Sequence, residues 1–430
     1  MPLLHRNKNS SSPIGDEEAN ALLKKKVGNG NYQPSSPRQF SRIPSRRVLI
    51  VVSFFLALYT AATTFRAVRP ELANHYLNIA DKVLTRVLNR KQLMNIGLVT
   101  RNKNFEKDFD VNKVLADFMA KREKIAKDPK GQNQDCLEIG TSNFNKKLDW
   151  RMRHDRRPIL GLMADKVTSK LFAEAINVTY PKDIYAGDCD SIPDVDGEDG
   201  MKDYAFKSSH TCGCNMVVRN GTIIGHKKCL WREKNLKGTK VTNTLLKKIC
   251  KDWTANIYSV REWAYQTLKP TIMMEELVPE AIDLKCYTFN GKTEFLRVLH
   301  TDQSAWTRSE EFYDAHTFEV RTKPYDNYNA LEGSPDDYLS KSIIEEAVKL
   351  CNYIGLGLDF ARVDLMLMAE EAKAAKKKED EDENDKEESF YFQLGEMTIY
   401  PKSGAHPFRP KQASITGNYW CLPKQHSIRD

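Results

Sequence analysis

A stretch of eighteen residues without a charge, 48–65, constrains this chain more than any other feature of its sequence. It lies between Arg46 and Arg47 on one side and Arg66 and Arg69 on the other. A helix needs about 17 to 25 apolar residues to cross a bilayer, whereas the apolar part of a signal peptide has about 7 to 15. The stretch therefore predicts a transmembrane helix at 48–65, so that the catalytic or binding part of the chain has to follow it.

The charges around this stretch predict its orientation. Residues 1–47 contain nine Lys and Arg against three Asp and Glu, a net charge of +6, and are rich in Ser, Pro and Gly, which is typical of disorder. Positively charged segments beside a span stay in the cytoplasm. The sequence therefore predicts a single-pass type II membrane protein, with a disordered cytoplasmic tail at 1–47 and a lumenal body in the endomembrane system, at the Golgi membrane.

The charge of the body excludes one broad class of function. The 430 residues include 66 Lys and Arg against 58 Asp and Glu, a net charge of +8, of which +6 belongs to the tail. The remainder, 8 − 6 = +2, is too small for a domain that binds nucleic acid through its phosphates. We expect a membrane partner through 48–65 and no nucleic-acid partner.

The cysteines and the glycosylation sequons fit a lumenal body. Disulfides form in oxidising compartments, and all nine cysteines follow the predicted span. Asn-x-Thr sequons occur in the body at Asn177 and Asn220, whereas the sequon at Asn9 lies in the tail. No cysteine pair has convincing zinc-ligand spacing, so the cysteines predict disulfides, with at least one thiol left over.

The body divides into two predicted parts. Apolar residues at helical spacing predict a helical stem at 66–135, and short apolar runs between turn residues predict mixed strands and helices at 136–430. Asn-Gly turns at 220–221 and 290–291 predict antiparallel hairpins. An insert at 370–388, with ten acidic residues and five lysines, is typical of a solvated loop between strands. This order of elements predicts an α+β fold.

Ionisable residues stand beside the apolar strands of the second part. Lys207 ends one strand and precedes a loop of small residues, whose backbone N–H groups are able to approach phosphate oxygens. Glu275 and Glu276 end another strand, where carboxylates accept hydrogen bonds from the amino and hydroxyl groups of a nucleotide. Asp283 and Lys285 follow closely, and Lys285 is a further cation for a phosphate.

A pair of carboxylates on the last two strands predicts a magnesium site. Arg362 and Asp364 are two residues apart in a strand, so that they lie on the same face. Glu396 lies on the next strand along the chain. Magnesium usually takes one or two carboxylates together with substrate phosphates, and Asp364 with Glu396 supplies that number.

Between about residues 148 and 410 the sequence resembles the TupA-like ATP-grasp family, whose members are associated with cell-surface polymers. Several motifs carry the resemblance, in order along the chain. They are Leu148–Arg151 with Asp155–Pro158, Asp165-Lys166, Phe206-Lys207, Glu262-Trp263, Met274–Leu277, Asp283–Lys292, Ala361–Asp364, and Gly395–Thr398 with Pro401–Gly404. The resemblance implies an ATP-grasp fold for 136–430 after the membrane helix and the stem. Thr398 stands where many ATP-grasp enzymes carry an asparagine.

The resemblance implies a chemistry and a role for each candidate residue. ATP and Mg²⁺ would be the cofactors, and a substrate carboxylate would be phosphorylated by ATP to an acyl phosphate that an amine attacks. The acceptor would be a cell-surface or secreted glycan or peptide. The implied roles are ATP phosphate binding for Lys207 and Lys285, adenine binding for Glu275, Glu276 and Val278, ribose binding for Asp283, Mg²⁺ binding for Asp364 and Glu396, and catalysis for Arg362 together with Lys285.

Two other enzymatic functions stay open on the sequence alone. A lumenal kinase of a glycan or protein hydroxyl needs the same nucleotide and Mg²⁺ residues with a different acceptor. A type II glycosyltransferase has the same anchor, stem and lumenal domain, and Asp188 and Asp190 have the Asp-x-Asp spacing that binds a metal and a sugar diphosphate.

Overall fold

The computed structural model describes a body that begins at residue 109. The described residues are 109–128, 136–278 with short gaps, 281–319 with a gap at 302–307, 339–368 and 391–423 with a gap at 405–406, together with isolated positions at 53–61 and 80. The predicted tail at 1–47, most of the predicted span at 48–65, most of the stem before residue 109 and the acidic insert at 370–388 lie outside the described residues. Within the described part of the chain, no helix combines the length and the apolar character needed to cross a membrane.

Seven helices and ten strands make up the described body. The helices are α1 (Val111–Lys127), α2 (Phe144–His154), α3 (Pro158–Ala164), α4 (Lys166–Ala175), α5 (Asn243–Thr254), α6 (Lys341–Gly355) and α7 (Pro410–Asn418). The strands are β1 (Asp183–Gly187), β2 (Tyr204–Ser208), β3 (Asn215–Arg219), β4 (Thr222–Lys227), β5 (Ile272–Glu275), β6 (Ala281–Phe289), β7 (Lys292–Thr301), β8 (Arg308–Asp314), β9 (Phe360–Met368) and β10 (Phe392–Thr398). This mixture of helices and antiparallel sheets confirms the α+β prediction.

The first sheet has the order β1-β5-β2-β3-β4 and is antiparallel throughout. The predicted hairpin between β3 and β4 is confirmed. Its turn needs left-handed backbone, and Asn220 with φ 48° and Gly221 with φ 68° are the residue types that adopt it most readily. Helix α5 packs beneath the sheet, where Trp253 is buried against Phe206 with ring centroids 5.6 Å apart.

The second sheet has the order β10-β9-β6-β7-β8 and is also antiparallel. The second predicted hairpin, β6 and β7, is confirmed and is longer than the apolar run alone indicates. Helix α6 packs on the sheet, and a disulfide between Cys286 of β6 and Cys351 of α6 joins the two. The opposite face carries Lys285, Arg362 and Asp364 over one part and buried aromatic residues over another, where Phe289 and Phe360 pack against Phe144 of α2.

Helix α1, which lies within the predicted stem, packs against the body. Arg122 is buried and donates to Ile354 O at 2.9 Å, Leu356 O at 2.6 Å and Tyr353 O at 2.7 Å, the carbonyls at the end of α6. Gly357 has φ 89° and lies so close to Phe118 and Arg122 that a side chain there would contact both. The C-terminal part of the predicted stem is therefore packed on the core.

Disulfides tie distant parts of the body together. Cys136 pairs with Cys421 and Cys189 with Cys250, in addition to the pair between β6 and α6. Cys214 is also disulfide-bonded. The predicted use of cysteines for disulfides is confirmed.

Candidate active site

The charged face of the second sheet brings together residues from three strands. In the register of the sheet, Lys285 of β6 lies opposite Asp364 of β9, and Asp364 lies opposite Glu396 of β10. Residues directly opposite one another on adjacent strands point to the same face. Lys285, Asp364 and Glu396 therefore form a row across the sheet, so the predicted carboxylate pair is in register.

Asp364 is the centre of this row. Arg362 donates two hydrogen bonds to the carboxylate of Asp364, from Nε to Oδ1 at 2.7 Å and from Nη2 to Oδ2 at 2.6 Å. Lys285 Nζ also donates to Oδ2, at 2.9 Å. Burial raises the pKa of Asp364, but the charges of Arg362 and Lys285 outweigh it and hold the pKa below its usual value. Asp364 is therefore ionised, and its hydrogen bonds hold the side chains of Arg362 and Lys285 in position.

Thr398 of β10 lies opposite Arg362 of β9 in the register of the sheet. Its hydroxyl accepts a hydrogen bond from Arg362 Nη2 at 2.9 Å. Arg362 is thereby held by both Asp364 and Thr398. Burial lowers the pKa of Arg362, but the charge and hydrogen bond of Asp364, together with Tyr287 and Glu396, outweigh it and raise the pKa. A role for Thr398 in orienting Arg362 follows from this contact, and it was not predictable from the sequence.

Asp283 lies at the margin of the row. Its carboxylate is 3.5 Å from Lys285 Nζ, and its side chain is 39% exposed, against 7% for Asp364. Asp283 and Asp364 together raise the pKa of Lys285 against the effect of burial. An exposed carboxylate beside a buried lysine is available to a ligand hydroxyl.

Lys207 and Glu275 form the charged cluster of the first sheet. Glu275 is buried at the end of β5 and accepts from Lys207 through Oε1 and from Lys170 Nζ through Oε2, the latter at 2.9 Å. Lys170, on α4, also contacts Asp183 and donates to Pro181 O at 2.7 Å. The carboxylate of Glu275 therefore positions two lysines, whereas Glu276 is exposed and Val278 half-buried just beyond the strand.

Charged groups of the two sheets interact electrostatically. Burial lowers the pKa of Lys207 to about 8, and the like charges of Lys170 and Lys166 contribute. The negative charges of Glu396 and Asp283, both on the second sheet, act in the opposite direction. Lys207 of the first sheet is therefore close enough to these carboxylates for an electrostatic interaction.

The small-residue loop after Lys207 is packed against α4. Ser208, Ser209, His210 and Thr211 are buried, and Lys166 donates from its backbone to Ser209 O at 3.1 Å and from Nζ to Thr211 O at 2.5 Å. Such contacts fix the loop beside the start of α4. They also place Lys166 and Lys170, neither of them a predicted phosphate ligand, next to Lys207.

Comparison with known families decides the classification. The family model TupA-like ATPgrasp matches residues 146–373, more than half of the chain. The chain belongs to the TupA-like ATP-grasp family. The match spans Lys207, Glu275, Lys285 and Asp364, whereas Glu396 lies beyond it.

Several solved structures are weakly similar to this TupA-like ATP-grasp protein. D-Alanine-D-alanine ligase from Helicobacter pylori is 13% identical with a TM-score of 0.30, and the match covers 65% of this chain and 69% of that one. The macrocyclase MdnC from Microcystis aeruginosa, bound to its precursor peptide, is 12% identical with a TM-score of 0.30 over 63% and 67% of the two chains. D-Alanine–D-alanine ligase from Bacillus anthracis, complexed with ATP, is 15% identical with a TM-score of 0.27 over 60% and 63%. No curated protein sequence matches this one.

The carboxylates of the TupA-like ATP-grasp site suit Mg²⁺ as a metal shared with a nucleotide. No group of three or more His, Cys, Asp or Glu residues capable of holding a metal occurs among the described residues. Asp364 and Glu396 are two opposed carboxylates, and Mg²⁺ commonly takes one or two with water and phosphate oxygens as its remaining ligands. The donors present therefore fit a magnesium that binds together with phosphates.

A buried ionic network supports the strand that carries Arg362 and Asp364. Asp359, directly before β9, accepts from Arg151 Nη2 at 2.5 Å, Arg157 Nη2 at 2.8 Å and Trp420 Nε1 at 2.8 Å. Burial raises the pKa of Asp359, but Arg151 and Arg157 lower it to about 2. The network fixes the start of β9 relative to α2. Arg151 and Arg157 fall in motifs of the resemblance, but their shared partner Asp359 was not predictable from the sequence.

The Asp-x-Asp motif lies at the edge of the first sheet. Asp188 pairs with Lys269 at 2.8 Å and Asp190 with Lys251 at 3.2 Å, and both carboxylates are exposed. Each aspartate has a surface lysine as its partner.

Proposed function

We propose that the cleft between the charged faces of the two sheets binds Mg-ATP, and that the protein is an ATP-dependent carboxylate–amine ligase. One observation carries the proposal: Lys207 of the first sheet interacts electrostatically with Glu396 and Asp283 of the second, where Lys285, Asp364 and Glu396 form a row. Phosphoryl transfer needs cations and a metal held around the phosphate chain, and this arrangement supplies both. Membership of the ATP-grasp family supports the same nucleotide.

The nucleotide would span the cleft from one sheet to the other. Lys207 and Lys285 bind its phosphates, and Asp283, a partly exposed carboxylate at the margin of the row, accepts from the ribose hydroxyls. The adenine lies against the segment that includes Glu275, Glu276 and Val278. Because Lys170 and Lys207 occupy the carboxylate of Glu275, this residue acts mainly by holding Lys207 in place.

Asp364 and Glu396 would hold Mg²⁺ against the phosphates. When bound, the metal neutralises phosphate charge. Lys285 and Arg362 already neutralise Asp364, so the approach of a triphosphate to this carboxylate is not strongly opposed. Asp364 also fixes the guanidinium of Arg362, which points to Arg362 as the side chain that meets the transferring phosphate.

The reaction would proceed in two steps. A carboxylate oxygen of the substrate attacks the γ-phosphorus of ATP, the bond to the β-phosphate oxygen breaks, and ADP leaves. The amine then attacks the acyl carbon, phosphate leaves with the bonding electrons, and the amine loses a proton as the amide forms. Arg362 and Lys285 stabilise the charge of the phosphoryl group in the first step and of the departing phosphate in the second.

The acceptor would be a glycan or peptide of the cell surface or the secretory route. Support comes from the uncharged stretch at 48–65 with its flanking arginines, which favours a type II anchor with a lumenal body in the Golgi membrane. The disulfides of the body and the exposed sequon residues Asn177 and Asn220 fit that compartment.

Product analysis tests the proposed reaction. Full-length protein is incubated with Mg-ATP, carboxylic acids and hydroxylamine as the amine, and the acyl hydroxamate and ADP are quantified. A ligase forms hydroxamate and ADP in equal amounts, and the Glu396→Gln variant forms neither. ADP formed with phosphate on a hydroxyl acceptor, without hydroxamate, would identify a kinase instead. Transfer from a UDP-sugar, unchanged by Glu396→Gln, would identify a glycosyltransferase.

A further inference from the structure

Lys207 of the first sheet belongs to a polar row that continues across two more strands. In the register of the sheet, Lys207 of β2 lies opposite Asn215 of β3, and Asn215 lies opposite Lys227 of β4. Residues directly opposite one another on adjacent strands point to the same face. Lys207, Asn215 and Lys227 therefore share one face of the sheet, and neither Asn215 nor Lys227 was a predicted site residue.

The packing of α5 identifies the face on which this polar row lies. Trp253 of α5 contacts Phe206 with ring centroids 5.6 Å apart and His226 with ring centroids 6.5 Å apart. Phe206 and His226 directly precede Lys207 and Lys227, and successive side chains of a strand point to opposite faces. The polar row therefore points away from α5, on the face of the proposed cleft.

Lys227 lies against the loop of small residues that follows Lys207. Its side chain passes over Gly213, so close that a Cβ atom at this position would be 2.9 Å from Lys227 Cε and 3.2 Å from Lys227 Nζ. Glycine leaves room for this contact because it has no side chain. Backbone N–H groups of such a loop approach phosphate oxygens, so the ammonium group of Lys227 lies where it adds a positive charge to them.

Asn215 and Lys227 have donors available to a ligand. Within the described part of the chain, no hydrogen bond or ion pair involves either side chain. Lys207, by contrast, already donates to Glu275. Asn215 is half-buried and Lys227 is exposed, so the row opens to solvent toward β4. An amide and an ammonium group on neighbouring strands are donors that suit an anion.

The order of the strands indicates which part of the nucleotide meets this pair. The adenine is proposed to lie against 275–278 at the end of β5, and Lys207 is on β2, the next strand in the order β1-β5-β2-β3-β4. Asn215 and Lys227 follow on β3 and β4, farther from the adenine. Neighbouring strands are about 4.8 Å apart, so the backbone at Lys227 is roughly 10 Å beyond that at Lys207. The last phosphate along this direction is the terminal phosphate of ATP.

We infer that Asn215 and Lys227 bind the γ-phosphate of ATP and thereby distinguish ATP from ADP. The inference rests on the proposed function. Contacts nearer the adenine are shared by ATP and ADP, whereas contacts at the far end of the polar row need the γ-phosphate. The charge of Lys227 also reduces the repulsion between the γ-phosphate and an approaching substrate carboxylate, since both are anions.

Calorimetric titration of Mg-ATP and of Mg-ADP into the full-length protein tests the inference. Lys227→Gln is expected to raise the Kd for ATP about tenfold, the usual weight of a charge-assisted hydrogen bond, and the Kd for ADP by less than about twofold. Asn215→Ala is expected to act in the same direction with a smaller factor. Lys227→Arg keeps the charge and is expected to retain most of the affinity for ATP.

Lys248→Gln is the matched control, because Lys248 is an exposed lysine of α5, on the other side of the sheet. It should leave both Kd values unchanged. Because Lys227 is exposed, its replacement should also leave the unfolding temperature of the ligand-free protein unchanged, which separates a lost contact from a folding defect. If Asn215→Ala folds poorly, the Lys227 variants decide the result.

The outcomes separate this inference from the proposed function. If wild type binds both nucleotides and Lys227→Gln weakens them equally, or weakens neither, the inference is wrong while nucleotide binding stands. If Lys248→Gln weakens ATP binding as much as Lys227→Gln does, the effect belongs to overall charge, and the inference is again wrong. If wild type binds neither nucleotide, the proposed function fails and the inference fails with it.

Discussion

The charge of Lys207 depends on its surroundings. Burial and two neighbouring lysines lower its pKa to about 8, so that near this pH an empty cleft holds a mixture of charged and neutral Lys207. A phosphate beside it would favour the charged form and raise the pKa again. Binding of a nucleotide should therefore be coupled to uptake of a proton by this side chain.

This coupling predicts a pH dependence of nucleotide binding. Because the protonated lysine binds phosphate, the affinity for Mg-ATP is expected to fall as the pH rises through about 8. Isothermal titration calorimetry in buffers of different ionisation enthalpy measures both the affinity and the protons taken up. Lys207→Arg stays charged over this range, so its affinity is expected to change little with pH. Equal pH dependence in wild type and Lys207→Arg would contradict the prediction.

Some contacts between individual residues are predictable from the sequence, and others are not. Arg362 and Asp364 were expected on one face from their spacing, and their bidentate contact follows from it. Lys170 was not expected in the site, because its partner Glu275 lies 105 residues away and only the folding of α4 against β5 brings the two together. Pairings over such distances are set by topology.

At the scale of the elements, the network before β9 joins that strand to α2. Asp359 is 1% exposed and accepts hydrogen bonds from two arginines and a tryptophan. Removing one partner of a buried ionic group leaves the others without compensation, which costs about 3 to 5 kcal/mol. The network therefore contributes to holding the strand that carries Arg362 and Asp364.

Substitution of Asp359 measures that contribution. Asp359→Asn is expected to lower the free energy of unfolding by about 3 kcal/mol in urea titrations. Glu345→Gln is the control, since Glu345 pairs with Lys349 at 2.8 Å on the exposed face of α6, and its loss should cost less than about 1 kcal/mol. Similar costs for the two variants would show that the network contributes no more than a surface pair.

The same network predicts an acid dependence of stability. The folded pKa of Asp359, about 2, is below the value of 3.8 for a free side chain. Its ionised form therefore stabilises the protein above pH 3.8, by about 2 kcal/mol, and this contribution is lost as the pH falls toward 2. Unfolding of wild type and Asp359→Asn across this range should converge at the acid end. A constant difference would contradict the assignment of the low pKa to Asp359.

Element boundaries were predictable where turn residues mark them, as the Asn-Gly turns do for both hairpins. Apolar residues at helical spacing also predict a helix at 338–354, and α6 (Lys341–Gly355) nearly matches these bounds. The first half of β6 was not predicted as strand, although Asp283 and Lys285 alternate with apolar residues there. This alternation is the signature of a strand with one face in a charged cleft and the other against α6.

At the scale of the whole molecule, the predicted orientation in the membrane has its own test. Asn177 and Asn220 are exposed residues of the body, so a lumenal body would carry glycans at both sequons. Protein expressed in eukaryotic cells is expected to lose mass on treatment with an N-glycosidase, in two steps that Asn177→Gln and Asn220→Gln remove separately. The sequon at Asn9 is the internal control and should stay unmodified. Glycan at Asn9 with none in the body would reverse the orientation.

The central claim is that the charged faces of the two sheets bind Mg-ATP between them. The direct measurement is titration calorimetry of ATP into the full-length protein, with and without Mg²⁺, for wild type, Glu396→Gln and the surface control Glu345→Gln. Wild type and Glu345→Gln are expected to bind ATP with an affinity that Mg²⁺ increases, and Glu396→Gln is expected to lose that increase. Absence of ATP binding by wild type, or an equal effect of Mg²⁺ in Glu396→Gln, would contradict the claim.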